Sequence, residues 1–156
     1  NMTEQTVQVT VMAEGGSLND LDADALADGW EQAMFHGLAE AQAGADEDFD
    51  GDGASNLSEY VAGTDPRDAG SRHALDLQRG EGGTLRMIFI ARRAEGPGYE
   101  ACERHFRLEY CSDPAVGHWV PVDGYDDIPG EDQTVVFQTG TLSERRGFYR
   151  SRVWLN

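Results

Sequence analysis

Residues Asp48 to Glu59 read DFDGDGASNLSE and alternate carboxylates with small residues in a pattern suited to a hard cation. Asp48, Asp50 and Asp52 hold the first, third and fifth places, Asn56 the ninth and Glu59 the twelfth. Calcium takes roughly six to eight oxygens. Carboxylates at alternate places in a tight loop converge on one hollow, the carbonyl at the seventh place (Ala54) adds an oxygen, and a bidentate Glu59 closes the shell. Gly53, at the sixth place, permits the sharp turn between them. A second copy lies 28 residues upstream, where Asp20 to Glu31 reads DLDADALADGWE. Asp20, Asp22, Asp24, the Leu26 carbonyl, Asp28 and Glu31 fill the same places, but Ala25 stands where glycine is expected. Holding alanine at positive φ costs on the order of 1 kcal/mol, so the first loop is expected to be weaker or bent differently.

Each loop runs into an expected helix that must present its ninth and twelfth residues. After Asp28, Trp30, Met34, Phe35 and Leu38 fall on one helical stripe. After Asn56, Leu57, Tyr60 and Val61 are apolar and Gly63 is the expected C-cap. Residues 17–70 therefore read as a paired, EF-hand-like loop–helix unit. It is near the lower size limit for independent stability, so metal must supply part of its folding energy.

The phrases DLDADALADGWE, DFDGDGASNLSEYVAGTDP and the trailing RDAGS resemble the tandem calcium repeats of dockerins and the thrombospondin type 3-like repeats of secreted bacterial proteins. The resemblance covers about a third of the chain. It implies two or more calcium ions and a place next to a C-terminal β domain. It also implies that Asp65, in the Gly-Thr-Asp-Pro ending, adds a calcium contact. Asp46 is a further candidate for a shell.

The net charge of −17 is unevenly spread over the 156 residues. Glu14 to Asp68 holds fifteen acids and one arginine, whereas Ser71 onward holds thirteen acids and eleven arginines. The acidity thus belongs to the calcium unit, where apo-state repulsion and metal binding oppose each other. Nucleic acid is excluded as a partner by the lack of a basic face. All twelve basic residues are Arg, so chemistry that needs a lysine amine is excluded. No stretch approaches a membrane span and no signal-peptide pattern is present, while Asn1 in place of Met points to processing or to a cut N-terminus. Weak calcium loops are saturated by millimolar calcium outside cells, so the expected location is extracellular or cell surface. In that compartment Cys102 and Cys111 are expected to form a disulfide, with two free thiols as the alternative.

Past Pro66 the periodicity changes to alternation. Expected strands are His73–Gln78, Thr84–Arg92, His105–Cys111, His118–Val122, Gln133–Thr139 and Phe148–Leu155. In HFRLEYC, Phe106, Leu108 and Tyr110 face one way, Arg107 and Glu109 the other. The fold class is mainly β: an antiparallel, immunoglobulin-like β-sandwich over residues 71–156 beside the small α calcium-binding unit. The run from RHFRLEYCSDPAVGHWVPV to GFYRSRVWLN also resembles, more loosely, the β domains that follow such repeats. Six strands fall short of the seven such a sandwich wants. The seventh candidate is Thr6 to Ala13 within an N-terminal arm, residues 1–16. A lone strand is not stable, so it returns to its own sandwich, completes that of another copy, or belongs to a lost upstream domain.

No nucleophile elbow, zinc-protease helix or phosphate-binding glycine loop is present, and His36, His73, His105 and His118 are scattered. The expected protein is not an enzyme. The first reading is an extracellular, calcium-stabilised structural or assembly subunit that polymerises by donating its N-terminal strand to another copy. Its partners would be copies of itself or another secreted surface protein. The alternative is a carbohydrate-binding or adhesion module with Trp119, Tyr125 and Trp154 as a sugar platform. Against that platform stands the fit of tryptophan to half-buried strand positions.

Overall fold

A computed structural model describes the backbone of Gln8–Ala13 and, with side chains, residues 19–38, 41–140 and 147–156. Thr6 and Val7 of the expected first strand, and Ser17 and Leu18 of the expected calcium unit, lie outside them. Mainly β, the described chain holds two short helices and two sheets. β1 (Gln8–Ala13) precedes α1 (Asp28–Phe35) and α2 (Asn56–Ala62). Then follow β2 (Asp76–Arg79), β3 (Leu85–Ala91), β4 (Arg104–Cys111), β5 (Val120–Pro121), β6 (Ile128–Pro129), β7 (Gln133–Gln138) and β8 (Phe148–Leu155). One sheet has the order β1-β8-β4-β5, with β6 also paired to β4; the other is β2-β3-β7.

Alternation sets the core. On β3, Leu85, Met87, Phe89 and Ala91 are buried, and on β4 Phe106 and Leu108 are fully so. The two sheets meet where Phe89 packs on Phe106 (ring centroids 5.9 Å) and Phe137 on Tyr149 (6.0 Å). Two short strands depart from expectation. Proline has no amide to donate to a ladder, so the strand expected at His118–Val122 shrinks to Val120–Pro121. Ile128–Pro129, which is not among the expected strands, pairs with His105 and Phe106.

β1 is the seventh strand sought from the sequence, and it pairs with β8 of its own chain. The pairing is parallel, Gln8 opposite Arg150 through Ala13 opposite Leu155, so the first sheet is mixed and not purely antiparallel. The expected disulfide is also corrected. Cys102 and Cys111 are free thiols. They flank one continuous strand, and an extended chain rises about 3.3 Å per residue. Their Cα atoms therefore sit far beyond the roughly 7 Å a bridge can span. Cys111 Sγ instead donates to the Asp113 carbonyl at 3.1 Å.

His73 does not extend β2. Its ring lies between the layers against Phe89 and Phe106, with Nε2 2.9 Å from Ser151 Oγ. Burial, then the nearby Arg92 and Arg104 charges, push its pKa down to about 4. The unfolded histidine titrates near 6.5, so between the two values the unfolded chain binds the proton and the folded chain does not. Stability is therefore expected to fall as pH drops from about 6.5 towards 4, by about 2–3 kcal/mol at 1.36 kcal/mol per unit. Urea unfolding in calcium across this range checks it: His73→Leu should flatten the slope, and an unchanged slope would refute the assignment.

Candidate metal centre

The two loops share a set of backbone-to-carboxylate hydrogen bonds. The amides of Asp24 and Ala25 donate to Asp20 at 3.2 and 3.0 Å, and those of Asp52 and Gly53 donate to Asp48 at 3.2 and 2.9 Å. Leu26 N donates to Asp24 Oδ1 at 2.9 Å, and Ala54 N to Asp52 Oδ1 at 2.8 Å. These bonds wrap the chain around its own carboxylates. As a result Asp20, Asp22 and Asp24 bring carboxylate oxygens within 4.8 Å of one another, and so do Asp48, Asp50 and Asp52.

The helices supply the back wall. Residues i and i+3 share a helical face, so Asp28 with Glu31, and Asn56 with Glu59, look towards their loops from the first turns of α1 and α2. Glu31 is 0% and Glu59 1% exposed. Both Glu31 carboxylate oxygens lack a hydrogen-bond partner, as do Glu59 Oε2, Asp50 Oδ2 and Asp52 Oδ2. Burial, then repulsion from Asp24, Asp22, Asp28 and Asp20, pushes the Glu31 pKa up to about 7. Burial also pushes Glu59 up to about 7; the Thr64 hydroxyl, donating to Oε1 at 3.0 Å, opposes this, and Asp50, Asp52 and Asp48 add to it. Unpartnered carboxylate oxygens in the interior are costly unless a cation answers them.

The turn residues differ between the loops. Ala23 (φ 60°) and Ala25 (φ 77°) adopt the left-handed region, where the second loop has Gly51 (77°) and Gly53 (96°). The strain expected at Ala25 is present, and Ala23 shares it. Ala25→Gly is expected to stabilise the protein by up to about 1 kcal/mol, the strain relieved less the glycine entropy. That is a rise of about 2–4 °C in melting temperature for a chain of this size. Gly53→Ala should move it the other way. A drop for Ala25→Gly would show that the loop does not carry this strain.

The ninth-place residues brace the loops. Asp28 Oδ1 accepts from Leu21 N at 2.8 Å, and Asn56 Oδ1 from Phe49 N at 3.3 Å. Asn56 Nδ2 also donates to the carbonyls of Gln42 and Gly44. Leu26 and Ala54 hold the seventh place in their loops. Asp65 joins neither group. Its carboxylate takes Arg67 Nε at 2.8 Å and Nη2 at 2.9 Å, which holds its pKa below the ordinary range. Asp46 is exposed and outside both triads.

Sequence reasoning missed three contributors. Asp68 is near enough for its charge to raise the Asp50 pKa. Arg72 Nε lies 3.7 Å from Asp52 Oδ2 at the rim of the second loop. Ala45 N donates to Asp24 Oδ2 at 3.0 Å and so ties the segment entering the second loop to the first. The 28-residue spacing was the available signal for that last contact, since it makes the loops a pair.

The three candidate sugar-binding aromatics have different neighbours. Trp119 lies under the Arg150 guanidinium (4.3 Å), and Trp154 packs against His105 and Arg107. Tyr125 donates to the Val136 carbonyl at 2.9 Å and meets Phe137 edge-on. No helix among the described residues is long and apolar enough to cross a membrane. No family model matches the chain, and no curated protein or solved structure is significantly similar to it.

Proposed function

We propose that this chain is a calcium-stabilised structural or assembly module that works outside the cell, with one calcium ion in each loop. The observation that carries the reading is the pair of buried glutamates, Glu31 and Glu59, whose unpartnered oxygens stand behind two aspartate triads. The donor set is oxygen alone, without histidine or thiolate, which suits calcium and not zinc. Its count and its flexible loops favour calcium over magnesium, which wants near-octahedral order and keeps its waters. Kinship with dockerin-like or thrombospondin type 3-like repeats, an EF-hand-like unit and a β-sandwich partner belong to the same proposal, on the motif and on the facing sheets. Assembly by strand donation would place β1 beside β8 of a neighbour in the position it holds in its own chain. Parallel pairing is slightly weaker per residue, and among the described residues β1 pairs with β8 alone. Arginines over Trp119 and Trp154 leave little bare aromatic surface, which favours this reading over a sugar platform.

Calcium titration by calorimetry tests the centre. Glu59→Ala is expected to weaken the second site by roughly 3 kcal/mol, about a hundredfold, because two charge-assisted contacts are lost. Ser58→Ala removes a hydroxyl that meets Ser55 Oγ at 3.0 Å and should leave affinity close to wild type. Equal affinities for the two variants would sink the assignment.

A further inference from the structure

The sheet β1-β8-β4-β5 turns an arginine-rich face away from the core. Its register sets Arg107 opposite Arg152, Glu109 opposite Arg150 and His105 opposite Trp154. The Glu109 side chain is only 4% exposed; it takes Arg150 Nε at 2.6 Å, with Arg107 and Arg152 each at 3.9 Å. Glu109 thus has three guanidinium groups within 4 Å of its carboxylate, in a chain whose net charge is −17. The Arg107, Arg150 and Arg152 side chains keep 32%, 16% and 25% of their surface open. Arg150 stacks on Trp119 and Arg107 on Trp154, which holds the guanidinium planes while their N–H edges can meet carboxylates.

A complementary surface is carried by the same chain. Residues 14–68 hold fifteen acids and one arginine, and two bound calcium ions would still leave ten negative charges there. Asp46 and Glu47 are exposed and outside both proposed ligand sets. Leu21, at the second place of the first loop, is 80% exposed, and Phe49, at the same place in the second, is 37% exposed. Apolar side chains flanked by acids match a face where arginines lie over tryptophans.

We propose that the outer face of β4 and β8 docks the acidic calcium unit of a second copy of this chain. Each copy would offer one acidic unit and one arginine face. The contact is therefore head-to-tail, and it builds open chains unless the rotation closes. Opposite charge sets orientation and encounter rate, and salt weakens it, since the screening length is about 10 Å at 0.1 M. The inference deepens the assembly reading and rests on it; unlike strand donation it exchanges no backbone.

Sedimentation velocity of the full chain in calcium, at low and high salt, is the test, with calcium binding measured separately by calorimetry. Wild type is expected to self-associate at low salt and dissociate at high salt. Arg107→Glu with Arg152→Glu, and independently Asp46→Lys with Glu47→Lys, should each weaken association on the order of tenfold or more. Mixed together, the two double variants should form a one-to-one complex, because one keeps its acidic unit and the other its arginine face. Should the arginine variant fail to fold, the acidic variant and the salt series still decide the matter. A calcium-loaded wild type that stays monomeric at low salt overturns the docking proposal and leaves the calcium centre standing. So does association that both double variants retain, and so does binding of an anionic polysaccharide by a chain that never self-associates. Salt-sensitive association lost in both variants, in a chain that binds no calcium, would support docking and refute the metal centre.

Discussion

Stripping calcium with a chelator is expected to lower the melting temperature of the full chain by about 10–20 °C. A ligand held at a hundredfold excess over its Kd stabilises by about 2.7 kcal/mol, so two sites supply roughly 5 kcal/mol, at about 2–4 °C per kcal/mol for a chain of this length. The structural reason is the interior position of Glu31 and Glu59, which without metal must be protonated or stand as unpartnered charges. Their folded pKa values near 7 lie above the ordinary 4.5. In the chelated protein this contribution is therefore present at low pH and is lost as pH rises through about 7. With calcium bound the carboxylates must be ionised, so the sign of their contribution reverses. Differential scanning calorimetry with and without chelator at two pH values checks both statements. A melting temperature that does not move after confirmed metal loss would refute the metal centre.

The triads were legible because their chemistry is local: carboxylates at alternate places in a short loop converge whatever the rest of the chain does. The depth of the glutamates was not legible, since it depends on distant packing. Trp30, against α2, meets Tyr60 at 5.3 Å, and Tyr60 stacks on Tyr99 at 4.9 Å, from the segment between β3 and β4. The Asp65 expectation rested on its motif and did not weigh Arg67, a cation two residues away that holds its carboxylate. The disulfide expectation weighed the compartment and overlooked that both cysteines flank one extended strand. Alternation identified β3, β4, β7 and β8 to within about two residues, whereas the parallel pairing of β1 with β8 joins the two ends of the chain and has no local signature. Arg104 was overlooked because the expected strand began at His105, one residue after the observed start. Arg104 shares the parity of Phe106 and Leu108, which were expected to face one way together.

Arg104→Met is expected to cost about 3–5 kcal/mol and to separate the loop–helix segment from the sheets. Arg104 is 2% exposed. Its Nε donates to the Val61 carbonyl at 2.7 Å, Nη2 to that of Tyr60 at 3.2 Å and Nη1 to that of Arg93, and its guanidinium lies 4.9 Å from the Tyr99 ring centroid. Two of these acceptors end α2, the helix that carries Glu59; Arg93 follows β3, and Arg104 itself begins β4. Gly63, the C-cap of α2, leaves the space the guanidinium fills, where a Cβ would overlap it. Methionine matches the length but donates nothing, so carbonyls at the helix end lose a charged donor worth about 1.5–3 kcal/mol each. Tyr60 and Tyr99 still bond across the same junction, Tyr60 Oη to the Gly98 carbonyl at 2.7 Å and Tyr99 Oη to the Tyr60 carbonyl at 2.6 Å. The variant should therefore fold, but the two parts should no longer melt together. Calorimetry in calcium is expected to show one transition for wild type and two for Arg104→Met, with the lower one sensitive to chelator. A single transition within about 1 kcal/mol of wild type would mean that the tyrosine pair alone couples calcium to the sheets, and that the buried guanidinium does not.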